Sequence, residues 1–229
     1  MHPPSQLAAS DPAFDRELRR RIDEVYRTNP RLPDHRSEFP WVTCYLGDPH
    51  AAVWFVAEYP SLTQVERAQP FSTPEDQWNV SIGDRLFREM LAKHGFKTGG
   101  AAAPGGWRCY ITDVVKSSYR ATNWNAAARE ELFAIAEAWS PVLAWEFETG
   151  RPAIAVVLGN RTKTLLDHLV KRRLVPRPRT VMTAWSYAYV TSRPDSARKL
   201  GPMHPVRLAE YDQQFAAIAQ RRDEIATIR

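Results

Sequence analysis

Cysteine is nearly absent: Cys44 and Cys109 are the only two in 229 residues. Two thiols cannot hold a four-thiolate iron–sulfur cluster or an all-cysteine zinc site, so no metal or other cofactor is expected. Cysteine this sparse fits the reduced interior of a cell. No apolar run approaches the roughly 18 residues of a membrane span. The start, Met1-His2-Pro3-Pro4-Ser5, has no apolar stretch of signal-peptide length. A glycine-rich phosphate loop with its lysine is also missing, which argues against an enzyme that hydrolyses free nucleotides. The expected setting is the cytosol, away from membranes.

What is present is an ordinary globular composition, 44% hydrophobic and 25% charged, with a net charge of +5. The length fits one α/β domain with a sizeable core. Positive charge is clustered: Lys171, Arg172, Arg173, Arg177 and Arg179 fall within nine residues, and Arg193, Arg198 and Lys199 follow. An anionic partner and a solvated loop are equally good readings of that cluster.

Five apolar runs read as strands. An edge strand is expected at 41–46, and four further runs at 52–57, 109–112, 153–158 and 187–191, the last lying within an expected strand region at 181–191. Each of the four ends abruptly in polar residues: Glu58-Tyr59-Pro60-Ser61, Asp113, Gly159-Asn160 and Ser192-Arg193-Pro194-Asp195. Helical patterns separate the runs, at 13–27, 83–94, 126–138, 141–148, 162–170 and 205–225. In an open α/β sheet the ligand sits beyond the carboxyl ends of the strands. Glu58, Asp113, Asn160 and Arg193 should therefore converge on one site. Residues 1–12 are expected to form a flexible arm and 13–229 a single domain, with long connections at 59–80 and 116–125.

The order of these segments resembles the uracil-DNA glycosylase superfamily, most closely its compact microbial branch with an iron–sulfur cluster. The first core strand of that branch ends Gly-Glu-Ala-Pro-Gly; here Ala57-Glu58-Tyr59-Pro60-Ser61 keeps the Glu and the Pro. Pro70-Phe71 follows at the family's spacing. Tyr110-Ile111-Thr112-Asp113-Val114-Val115-Lys116 differs at one position in seven from the family's Tyr-Ile-Thr-Asn-Val-Val-Lys. Val157-Leu158-Gly159 matches a later strand end, and Ser192-Arg193-Pro194-Asp195 stands where the family has His-Pro-Ser. The resemblance covers roughly residues 50–220. It implies a three-layer αβα sandwich around a mostly parallel four-stranded sheet. The departures are the missing cluster cysteines, Asp113 in place of a base-reading Asn, and Arg193 in place of a catalytic His.

The reaction implied is hydrolysis of the N-glycosidic bond of uracil in single- or double-stranded DNA by a monomer, leaving an abasic site. Glu58 would orient or deprotonate water. Arg193 would donate to the departing base, with His204 of His204-Pro205 as the alternative motif residue. Asp113 would read the base edge, together with Tyr59, Pro60 and Asn160. Counting forward from Glu58 selects Phe71 as the stacking residue, and counting back from Gly83 selects Trp78. Lys116, Ser117 and Arg120 would contact phosphates, and Asp195, Ser196, Arg198 and Lys199 would lie on the loop that enters DNA. Removal of hypoxanthine or xanthine, and a DNA-binding protein without catalysis, are the alternatives.

Overall fold

The computed structural model describes residues 8–39, 43–62, 66, 75, 78 and 80–227, and among these five strands form one sheet. The strands are β1 (Tyr45–Gly47), β2 (Val53–Ala57), β3 (Tyr110–Asp113), β4 (Ile154–Leu158) and β5 (Thr180–Ala184), in the order β1-β3-β2-β4-β5. β3, β2, β4 and β5 are mutually parallel, and β1 adds an antiparallel edge beside β3. The helices are α1 (Pro12–Thr28), α2 (Ile82–Lys93), α3 (Ala121–Ala126), α4 (Arg129–Gly150), α5 (Asn160–Lys171), α6 (Tyr187–Ser192) and α7 (Pro205–Thr227).

Every residue of β2 and β4 is buried, as a parallel strand covered on both faces requires. Alternate side chains of β2 feed two different cores. Trp54 points to one layer, where its ring stacks on Phe147 of α4 at 5.3 Å and meets Tyr110 at 4.6 Å. Phe55 points to the other, against Phe87 of α2, Phe96 and Phe215 of α7. α1, α4 and α5 cover the first face, and α2, α6 and α7 the second.

Local chemistry sets the helix ends. Asp11 caps α1 by accepting from the amides of Ala13 and Phe14, with Pro12 in the first turn. Ser81 and Asp84 form a reciprocal capping box on α2. Of the arm expected over residues 1–12, Ala8 and Ala9 are buried, and Ala9 bridges to Gly47. Residues 1–7, like Trp41 of the expected edge strand, lie outside the described residues.

Several expected elements are corrected. The run at 187–191 is not a strand. β5 pairs with β4 only as far as Leu158↔Ala184, the Trp185 amide then donates to Gln214, and the chain turns at Ser186 into α6. The helices expected at 126–138 and 141–148 are one helix, α4, with Pro141 inside it. Proline removes the donor that would reach Glu137. The Ser140 hydroxyl supplies a bond to that same Glu137 carbonyl at 2.7 Å, and the helix continues. The connection at 116–125 also contains a helix, α3.

The largest departure is Lys116. Its ammonium is fully buried, 2.6 Å from Glu146 Oε2 of α4, and it donates to Thr112 Oγ1 at 2.5 Å. Glu146 Oε1 also accepts from the hydroxyls of Tyr110 (2.9 Å) and Thr112 (2.8 Å). Lys116 therefore ties the sheet to α4, and neither it nor the buried Ser117 lies on a DNA-facing surface. Lys116→Met leaves a buried carboxylate without its cation. Urea unfolding should show a loss of about 3–5 kcal/mol, most of it recovered in Lys116→Met/Glu146→Leu.

Candidate active site

The chain leaves β2 for β3 on one side and then returns past β2 to β4 on the other. That reversal opens a crevice at the carboxyl ends of β2 and β4. A cleft of about 1050 Å³ lies there. Glu58, Tyr59, Pro60, Trp78, Asp113, Asn160 and Arg193 all line it, though they come from separate segments of the chain. Phe71 lies outside the described residues.

Two glycines shape the walls. Gly159 follows β4 with φ of 91°, a left-handed backbone that favours glycine, and it turns Asn160 and Arg161 into the first turn of α5. Gly83 lets α2 approach Tyr187 so closely that a Cβ there would lie 2.6 Å from the ring.

Glu58 emerges directly from β2 and its side chain is 19% exposed. Three donors hold it. Trp124 Nε1 donates to Oε1 at 2.7 Å, Arg161 Nε donates to the same oxygen, and Arg161 Nη2 donates to Oε2 at 3.1 Å. Arg161 Nη1 donates in turn to Asn125 Oδ1 at 2.8 Å. A guanidinium fork of this kind fixes the plane of a carboxylate as a single ammonium cannot. Tyr59 and Trp124 pack with ring centroids 4.5 Å apart. Burial, and then the charge of Glu58, push the Tyr59 hydroxyl up to about 12.

Asp113 ends β3 and is 2% exposed. Its amide is tied to Cys44 O at 2.9 Å, while its Oδ2 has no hydrogen-bond partner among the described residues. Burial raises its carboxyl pKa well above the ordinary value, opposed by Lys116 and reinforced by Glu146 and Glu58. A neutral carboxyl offers one donor and one acceptor, the same pair that an Asn side chain offers.

Arg193 ends α6, and its exposed guanidinium has no carboxylate partner among the described residues. Its carbonyl is held by Arg207, which is fully buried in α7 and donates to the carbonyls of Arg193 (2.6 Å), Gly201 (2.9 Å) and Tyr189. Between those anchors Asp195 and Leu200 pair as a short antiparallel bridge. Asp195 accepts from Arg198 Nε (2.6 Å) and Tyr189 OH (3.0 Å), and the Arg198 bond leads in holding its carboxyl down at about 2. Arg198 also reaches Glu210 at 2.7 Å. Ser196 and Lys199 are exposed on the turn. Arg120 is exposed and pairs with Glu66. His204 is not part of the cleft lining; its Nδ1 accepts from the Val206 amide at 3.3 Å, at the start of α7.

The sequence reading missed Arg161, Trp124 and Asn125. Arg161 stands 103 positions from its partner Glu58. The one local hint was its place after Gly159-Asn160, at the head of a helix that follows a core strand.

Among the described residues no group of three or more His, Cys, Asp or Glu is placed to hold a metal ion, and no helix is long and apolar enough to cross a membrane. Cys44 and Cys109 are both buried and free, and burial pushes the Cys44 thiol up to about 12. The residues present thus do not fit the iron–sulfur cluster of the branch that the sequence resembles.

A mostly parallel αβα sandwich with acidic and cationic side chains meeting at its switch point defines the class. The sequence profile of the Uracil DNA glycosylase superfamily matches residues 44–214, and the chain belongs to that superfamily. Membership points to a DNA glycosylase, a hydrolase of DNA repair, with DNA as its substrate. No curated protein matches the chain.

Proposed function

We propose that the protein acts as a monomer, in the cytosol at the nucleoid, to remove uracil from DNA by hydrolysing its N-glycosidic bond. The observation that carries this reading is the convergence of Glu58, Asp113, Asn160 and Arg193 on one cleft. The bond from C1′ to the base breaks, its electron pair leaves with the base, and water adds to C1′. A carboxylate has about four acceptor sites. Trp124 and Arg161 fill three on Glu58, which leaves one for the attacking water. Proton removal by a positioned carboxylate is general-base catalysis. Arg193 supplies positive charge for the departing base. With its proton on, Asp113 matches the O4 acceptor and N3 donor of uracil. Trp78 and Tyr59 offer aromatic faces for the extruded base, with Phe71 as the alternative stacking residue. Arg120 serves the DNA strand, as do Ser196, Arg198 and Lys199 on the turn that Asp195 orders.

A second reading has its own support. Hypoxanthine and xanthine present an O6 acceptor beside an N1 donor, the same pair that a protonated Asp113 complements. The test is base release from labelled oligonucleotides carrying one uracil, hypoxanthine, xanthine or thymine, with alkali revealing the abasic site. Cleavage at uracil is expected. Cleavage at the purines alone moves the substrate to the second reading. Binding without release at any base identifies a non-catalytic member, and neither binding nor release overturns the DNA reading.

A further inference from the structure

The cationic turn after α5 lies at the opposite end of the sheet from the cleft. α5 begins at the carboxyl end of β4, and β5 runs parallel to β4. The chain must therefore descend the whole sheet before β5 starts, so residues 172–179 sit beside the amino ends of the strands. The 12 residues of α5 put about 18 Å between its two ends. Lys171, Arg172, Arg173, Arg177 and Arg179 are all exposed. Among the described residues only Arg172 has a carboxylate near it, Glu137 at 3.6 Å. The chain holds 31 basic against 26 acidic residues, so these five cations equal its entire positive excess.

The turn is also held in one shape. The Arg173 amide donates to Val170 O (3.0 Å) and the Leu174 amide to Leu169 O (2.9 Å), the paired bonds of a Schellman close. Val175 and Pro178 are buried and pin the segment that follows. The left-handed position of this close favours glycine, yet Arg173 occupies it with φ of 59°. A cation is thus kept where the backbone would accept glycine with less strain.

We propose that this turn is a second docking surface, which holds the phosphate backbone of a nucleic-acid segment other than the one in the cleft. The choice of nucleic acid rests on the DNA reading of the cleft. The geometry is independent of it: exposed, largely unpaired cations on a rigid turn, too far from the cleft to share its nucleotide. Phosphate contacts of this kind add affinity without sequence preference and weaken as salt rises.

The test uses the full chain carrying Arg173→Gly, Arg177→Gln and Arg179→Gln. Arg173→Gly relieves the left-handed strain, so the variant should melt no lower than wild type. Release of uracil from a short oligonucleotide that only fills the cleft should be unchanged. Affinity for a long duplex should fall about tenfold, and the slope of log K against log salt should flatten by about 2–3, near 0.9 for each phosphate that the variant no longer neutralises. Unchanged duplex affinity and slope in a folded, active variant would overturn the second surface and leave the cleft reading intact. Wild type that neither binds nor cleaves DNA would overturn both. Wild type that cleaves the short oligonucleotide but loses, with these substitutions, only its retention on polyglutamate would assign the turn to an acidic protein and overturn the nucleic-acid proposal.

Discussion

Glu58→Gln is expected to lower single-turnover base release by about 10²–10⁴-fold, the usual contribution of a positioned general base. The amide keeps the size of the carboxylate but cannot take a proton from water. DNA affinity should not fall. The substitution frees the Arg161 guanidinium from its only carboxylate among the described residues, and an added cation at the mouth favours phosphate. Arg161 is expected to act through Glu58. Arg161→Gln should reduce the rate constant with little change in substrate affinity, and Arg161→Lys should restore part of the loss, because an ammonium keeps the charge but not the fork. Release by Glu58→Gln within about threefold of wild type would remove Glu58 from the role of base.

Asp113→Asn should change both the pH dependence of activity and stability, through one buried proton. If neutral Asp113 reads the base, wild-type kcat/KM for uracil declines as pH rises through the raised carboxyl pKa. The Asn variant, which carries the same donor and acceptor without titrating, should show no such decline. An unaltered profile and unaltered rates on every base would exclude direct reading. Stability follows from the same shift. The folded carboxyl holds its proton above the ordinary value of 3.8, the unfolded one near it. Between those values the native state binds more protons, so stability falls as pH rises; above the folded value the full loss persists. Below 3.8 both states are protonated and the loss disappears. Asp113→Asn should therefore melt higher than wild type near neutral pH, with the gap closing in acid.

β2, β3 and β4 were legible because strands covered on both faces read as unbroken apolar runs, and their abrupt polar ends marked the cleft. α6 was not: its Tyr-Ala-Tyr-Val-Thr alternation imitates a strand, and only the register of β5 against β4 ends the sheet before it. The continuity of α4 depended on one hydroxyl, that of Ser140, filling the gap left by Pro141. Lys116 read as a surface cation because its partner, Glu146, lies 30 positions on, in a helix that crosses back over the sheet. Arg161 was hidden for the same reason. Local pattern shows which face of an element is apolar, but not which charges meet after the sheet has formed.

Arg207 grips the two ends of the turn after α6 through main-chain oxygens, those of Arg193 and Gly201. Such bonds are indifferent to the side chains of the residues that make them. Between Arg193 and Gly201, the residues other than Asp195 and Arg198, whose side chains tie the turn to Tyr189 and Glu210, can therefore be exchanged over evolutionary time while the two ends of the turn stay fixed. Selection can rewrite what this loop presents to a substrate without first solving again how the loop is held.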